Sequence, residues 1–325
     1  MPHGIIDEQE IYKGLSLTDK DVINMIKDFD SIVRFDSVEK EFSGIGFQAS
    51  HLSEAIGIIR KMKEEKAVVF LTFTSNMIAS GLRGIIRELC KRKFVDCIIT
   101  AGGSIDHDII RSKMNYEHGR FVMDDAKLHE AGINRIGNIL VPNKCYAYLE
   151  EFIHEVFEEQ YTSGQQVVSP SSLIKKIGEK TGPNSFLHWC SKNKIPVFCP
   201  GITDSAIGLQ TYFFKQKRDR RDFGIDVTKD MNELAQLALG AEKSGGIILG
   251  GGISKHHAMG VNLLRGGFDY AVYVTTSQPW DGSLSGARTS EGISWGKINK
   301  KAKHVTIDGD ATIIAPLLFA DFLRK

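Results

Sequence analysis

The 325-residue sequence has little proline and little cysteine, no excess of charge of either sign, and no long uncharged hydrophobic run. Each shortage excludes something. With 41 Lys+Arg against 40 Asp+Glu the net charge is +1, so there is no electrostatic footprint for nucleic acid and no polybasic surface for anionic lipid. No window approaches 18 uncharged apolar residues, and the opening MPHGIIDEQEIYKG lacks the charged-then-apolar plan of a signal peptide. The chain is therefore expected to stay in the cytoplasm and to cross no membrane. The five cysteines (Cys90, Cys97, Cys145, Cys190, Cys199) form no C-x-x-C and sit in apolar runs, as reduced, buried thiols do. Only 8 residues are proline while 32 are glycine, so the glycine excess over about 7% is not low-complexity linker and must act locally.

Several motifs are also missing. There is no G-x-G-x-x-G, no P-loop, no H-E-x-x-H and no Cys/His cluster, and no metal site is expected. His256 and His257 are adjacent, so on a helix they point about 100 degrees apart and cannot chelate one ion as an i, i+4 pair would.

Six short apolar runs are present: AVVFLTF (67–73), DCIIT (96–100), PVFCPG (196–201), GGIILG (245–250), DYAVYVTT (269–276) and HVTI (304–307). Near-continuous Val/Ile/Phe runs suit strands covered on both faces, as in a parallel sheet. Amphipathic segments lie between them. MIASGLRGIIRELCKRK carries the stripe Ile78, Leu82, Ile85, Ile86 and Leu89, with Ser75 or Asn76 as cap, and 145–160 carries Leu149, Phe152, Ile153, Val156 and Phe157. Near the start, Thr18 to Asp21 reads as a capping box. The expected fold is α/β: a doubly wound, mostly parallel Rossmann-like sheet with helices on both faces. An N-terminal helical extension (1–40) precedes one catalytic domain (41–325), and the polar stretch 161–172 reads as a loop between layers.

In such sheets ligands bind beyond the carboxyl ends of the strands. The residues there are TSN (74–76), TAGGS (100–104), TDS (203–205), GGGISKHH (250–257), TTSQPWDGSLSG (275–286) and DGDAT (308–312). Small residues let backbone approach a pyrophosphate, and hydroxyls and helix amides donate to it. Any one such turn is ordinary strand-to-helix chemistry, but six together point to a nucleotide or dinucleotide pocket. One further segment stands out: Lys297 follows Trp295 and Gly296. A lysine beside an indole is either a surface residue, as most lysines are, or a desolvated amine able to attack a carbonyl or imine carbon.

These motifs, with SGIGFQA (43–49), IPVFCPGITD (195–204), DGSLSGAR (281–288), SWGKI (294–298) and DA (310–311), resemble those of the deoxyhypusine synthase family, in its order and over nearly the whole chain. The ISKHH and SLSGAR forms are similar to archaeal or prokaryotic members. The resemblance implies NAD-dependent transfer of the 4-aminobutyl group of spermidine to one lysine of the precursor of translation initiation factor 5A. It implies a covalent imine on Lys297 and a homotetramer with sites shared across dimer interfaces.

By the same resemblance Ser75, Asn76, Thr100, Ala101, Gly102, Asp106, Asp204, Gly251, Thr276, Ser277, Asp281, Asp310 and Ala311 would hold NAD. His256, Gly282, Ser283, Glu291 and Trp295 would line the polyamine site. His256 would accept a proton, Glu291 would pair with an ammonium and Trp295 would wall the alkyl chain. TAGGSIDHD is one residue longer than the animal pattern TAGG-x-E-E-D, so His107 competes with Asp106 for its place. Leu209, followed by Gln210, and Leu284 stand where animal members carry aspartates for the far ammonium, which leaves room for a related polyamine. The alternatives are a homospermidine synthase-like transfer to a free amine and a non-catalytic NAD-binding paralogue subunit. Sirtuin-type deacylation lacks its zinc cysteines.

Overall fold

A computed structural model describes residues 15–17, 37–217 and 219–324. Its strands are β1 Leu15–Leu17, β2 Val68–Phe73, β3 Cys97–Thr100, β4 Tyr116–His118, β5 Ile133–Ile136, β6 Ile139–Pro142, β7 Val167–Val168, β8 Val197–Phe198, β9 Gly224–Ile225, β10 Ser244–Leu249, β11 Phe268–Thr275 and β12 Ile298–Asp308. The six apolar runs are β2, β3, β8, β10, β11 and part of β12. They form one sheet in the order β12-β11-β10-β2-β3-β8, parallel throughout. Read from β8, this is the 3-2-1-4-5-6 order of dinucleotide-binding folds, and the strand order reverses between β2 and β10. The composition of the runs does not reveal that order; the crossovers do.

Helices cover both faces. On one side Gln48–Glu64, Arg83–Lys91 and Ala311–Leu323 bury Ile56, Ile59, Ile86 and Leu318 against Leu71, Val272 and Ile247. On the other, Asp230–Leu239 and Gly252–Leu263 bury Leu234, Ala258 and Met259 against Phe70, Ile99 and Tyr273. At Gly245 a Cβ would lie 2.6 Å from Met62 Sδ, so the missing side chain is what lets the helix Gln48–Glu64 seat on β10.

Three local expectations change. The segment after β2 is not one helix but two, Ser75–Ser80 and Arg83–Lys91, because Gly81 turns left-handed at φ 109° and ends the first. The cap of Ser75–Ser80 is Thr74, one residue before the expected Ser75. The stretch 161–172 holds β7, which pairs in parallel with β9, and the start of the helix Pro170–Lys180.

Within 1–40, Leu15–Leu17 is a strand, pairing with β4 in an antiparallel sheet ordered β1-β4-β6-β5. The capping box at Thr18 lies outside the described residues. The helix Val38–Ser43 crosses residue 40, and Val38 packs in the main core. All five cysteines are buried and free. Among the described residues no helix is long and apolar enough to cross a membrane.

Candidate active site

Parallel strands end on one rim, and that rim collects the motif loops. Ser75 and Asn76 follow β2; Thr100, Ala101 and Gly102 end β3 and open the next helix; Asp204 follows β8; Gly251 follows β10; Thr276, Ser277 and Asp281 follow β11; Asp310 and Ala311 follow β12. Two long helices on this rim, Gly102–Arg111 and Gly252–Leu263, start without a capping side chain, as does the short Ser75–Ser80. The two long ones lie on the two sides of the switch point, where helix amides suit a pyrophosphate.

The rim is close-packed where the glycines are. A Cβ on Gly102 would lie 2.4 Å from Ser205 Cβ, and one on Gly251 would lie 2.4 Å from Ser285 Oγ. Gly250 and Gly252 have φ of +89° and +68°, and nothing lies within 4 Å of a Cβ built on Gly252. Backbone there faces open space, which is the cradle a dinucleotide requires.

Not every rim residue points outward. The Thr100 hydroxyl donates to Phe73 O and contacts Ser104 Oγ at 2.7 Å, inside the protein. Asp106 is only 4% exposed. Its carboxylate accepts from Ala206 N at 2.8 Å and Ile207 N at 3.2 Å, so it holds the TDS loop rather than facing the crevice. Burial pushes that carboxyl up to about 7 against the pull of the two amides. His107, also buried, contacts Tyr116 Oη at 2.8 Å, and burial brings its imidazole down to about 4. Asp281 and Asp310 are exposed and accept local amides, Ser283 N at 2.7 Å and Thr312 N at 2.7 Å. The Ser283 hydrogen bonds hold the Asp281 carboxyl below its usual range.

The second group of predicted residues lies elsewhere. Lys297 immediately precedes β12, and its carbonyl accepts from Phe268 N, the first residue of β11, at 3.1 Å. A Cβ on Gly296 would lie 3.3 Å from Leu263, at the far end of its helix. Lys297 therefore sits at the amino rim, about 23 Å of strand away from the motif loops. It is half-buried, with Nζ 5.2 Å from the centroid of Trp295, itself 65% exposed. His256 and Glu291 are exposed on the neighbouring helices Gly252–Leu263 and Thr289–Ser294. His256, Glu291, Trp295 and Lys297 thus run down one flank of the chain, from the carboxyl rim to the amino rim.

The carboxylate-to-leucine positions also separate. Leu209 is 54% exposed and Leu284 half-buried. Gln210 turns inward, its Oε1 2.8 Å from His154 Nε2, and donates to Glu150 at 3.3 Å. A cavity of about 400 Å³ bordered by Lys175, Lys194, Glu233 and Cys190 opens beside Pro196, at the amino end of β8 and away from the motif loops.

One residue escaped the sequence reading. Lys255 is fully buried and donates to Ala287 O at 2.7 Å, with its ammonium 4.5 Å from the Tyr273 ring centroid. Burial brings it down to about 8. The signal was present: Lys255, Ala258, Met259 and Asn262, all buried, follow the i, i+3, i+4, i+7 spacing of an inward stripe.

A sheet in dinucleotide order, with small-residue loops and uncapped helices at its switch point, has the architecture of the dinucleotide-type α/β enzymes and carries an amine-bearing flank. The chain belongs to the deoxyhypusine synthase family: the model described as "Deoxyhypusine synthase" matches residues 37–322. Relatives from Pyrococcus furiosus and Methanocaldococcus jannaschii, each named "Probable deoxyhypusine synthase", are both 44% identical over 89% of this chain, covering 90% and 92% of their own lengths. A crystal structure assigned as a deoxyhypusine synthase from Entamoeba histolytica superposes with a TM-score of 0.66 at 25% identity, covering 87% of this chain and 90% of its own. The family's enzymes are NAD-dependent and transfer an aminobutyl group.

Proposed function

We propose that this chain binds NAD along its carboxyl rim and moves the aminobutyl group of spermidine to a lysine of the translation initiation factor 5A precursor. The observation that carries this reading is the complete set of rim loops on a dinucleotide-order sheet together with the SWGK segment bearing Lys297. Bound NAD would supply the hydride acceptor for the carbon beside the secondary amine and the donor for its return. Ser75, Asn76, Gly102, Gly251, Thr276 and Asp310 would hold the dinucleotide. Thr100 and Asp106 act from beneath, the first by tying β3 to β2 and the second by fixing the loop that bears Asp204.

On the flank, the Lys297 amine would add to the oxidised aminobutyl carbon as the bond to 1,3-diaminopropane breaks and that amine leaves. Lys297 would then carry the aminobutyl carbon as an imine until the acceptor lysine displaces it. Trp295 offers a flat wall to an alkylammonium chain, Glu291 a carboxylate for its charge and His256 a site for the released proton. Lys297 and the NAD loops lie at opposite rims of one chain. The reading is therefore a site shared between subunits, the flank of one facing the carboxyl rim of another, within the homotetramer that the family resemblance implies. A C2 pair does this twice by symmetry.

Leu209 and Leu284 favour a second reading, transfer to a free amine, because charge-assisted pairing for a far ammonium is missing at both positions. Labelled spermidine decides between them. Label in the precursor protein supports the first reading; label in small polyamines alone defeats it. Borohydride trapping with mass spectrometry should place the adduct on Lys297.

A further inference from the structure

Ammonium groups are seldom buried beside a single neutral acceptor, since removing the charge from water costs several kcal/mol by general estimate. Lys255 is such a group. Among the described residues its only hydrogen-bond acceptor is Ala287 O, at 2.7 Å, and its only other close partner is the face of Tyr273. Ala287 closes the segment that follows β11, which runs over Asp281, Gly282, Ser283 and Leu284. Much of that segment is in solvent, Trp280 being 87% exposed. Its remaining ties to the body are few: Gly252 N donates to Ser285 Oγ at 3.1 Å, Thr275 Oγ1 donates to Ser285 O at 3.1 Å, and at its end Arg288 Nη1 pairs with Asp308 Oδ1 of β12 at 2.5 Å.

We propose that Lys255 is a positioning residue: its ammonium, tethered to the Ala287 carbonyl, clasps the 276–288 segment to the helix Gly252–Leu263 and so sets the polyamine subsite. The substrate named here rests on the function proposed above; the clasp itself does not. A charged donor makes the bond roughly twice as strong as a neutral amine would. The groups facing Lys255 are Tyr273 from β11, Arg288, whose charge opposes the ammonium, and Glu291, whose charge favours it. The ammonium is lost as pH rises through about 8, and the clasp should loosen with it.

The test uses Lys255→Met, which keeps the stem and removes the charge, with hydrogen exchange followed by mass spectrometry. Exchange in 276–288 should rise about tenfold while β10 and β11 stay protected. The KM for spermidine should rise about tenfold with kcat within about threefold. Wild-type protection of the same segment, corrected for intrinsic exchange, should fall between pH 7 and pH 9, a measurement that needs no variant to fold. Unchanged protection in the variant, or wild-type protection equal at both pH values, would overturn the clasp. A fall in kcat at constant KM would overturn the positioning role. If the wild type turns over no polyamine at all, the functional reading fails and the exchange measurements still decide the clasp.

Discussion

The Asp106 carboxylate accepts the main-chain N–H of Ala206 at 2.8 Å, a bond that spans 100 residues of sequence and ties the helix after β3 to the helix after β8. A second amide, Ile207 N, shares the carboxylate at 3.2 Å. Asp106→Ala strands both donors in a buried setting. We expect a loss of about 2–4 kcal/mol in urea unfolding and weaker NAD binding, as the loop bearing Asp204 loosens. A loss under about 0.5 kcal/mol would mean that the freed amides find water.

His107 and Asp106 pull stability in opposite directions with pH. The buried imidazole titrates near 4 against 6.5 for a free histidine, so between those values the unfolded chain binds more protons. Its contribution is full above about 6.5 and is lost as pH falls toward 4. Asp106 is raised from 3.8 to about 7, so the folded chain holds the extra proton and stability falls as pH climbs through that window. His107→Gln leaves Asp106 acting alone. The stability gap between wild type and variant should widen by about 3 kcal/mol from pH 4 to pH 6.5. A gap that does not change with pH would show that His107 is not held neutral by burial.

Lys297→Ala should abolish transfer and leave NAD affinity within about twofold, because the two lie at opposite rims. Gly251→Val should abolish transfer by the other route, through loss of NAD binding with Lys297 intact, since any Cβ there meets Ser285 at 2.4 Å. Mixing the two inactive variants and letting subunits exchange should restore about a quarter of wild-type activity if one site draws on two copies, by random pairing. No recovery from a mixture shown to exchange would confine each site to one chain.

Leu284→Asp should lower the KM for spermidine about tenfold by adding a charge-assisted partner for the far ammonium. An unchanged KM would place that ammonium elsewhere on the flank.

Much of this was legible in the sequence because burial on two faces leaves a compositional mark. The six apolar runs are the six strands of the parallel sheet, and the small residues after them are its rim loops. The stripe Leu149, Ile153, Val156 and Phe157 is buried on one helix as its spacing requires. Other features leave no such mark. The small antiparallel sheet is built from strands of three and four residues, too short to show a period. Gly81 looks like any helical glycine until its φ of 109° is seen.

The sequence named candidate residues but not their places. Lys297 sits beside Trp295 in sequence and in space, yet the motif loops that precede it gather at the far rim. Lys255 stood in plain view within GGGISKHH, one residue before the histidines that drew attention, and only its packing shows a buried cation tied to the next loop.

The sequence alone determined the strands of the parallel sheet, the location of small-residue loops and the family, because these depend on residue type and short-range spacing. The tertiary structure decided the strand order, the inward turn of Asp106 and Thr100, and the separation of Lys297 from the motif loops. Those depend on which way each crossover runs and which end of a strand a residue precedes. With parallel strands, residues just after a strand and residues just before the next are always delivered to opposite rims.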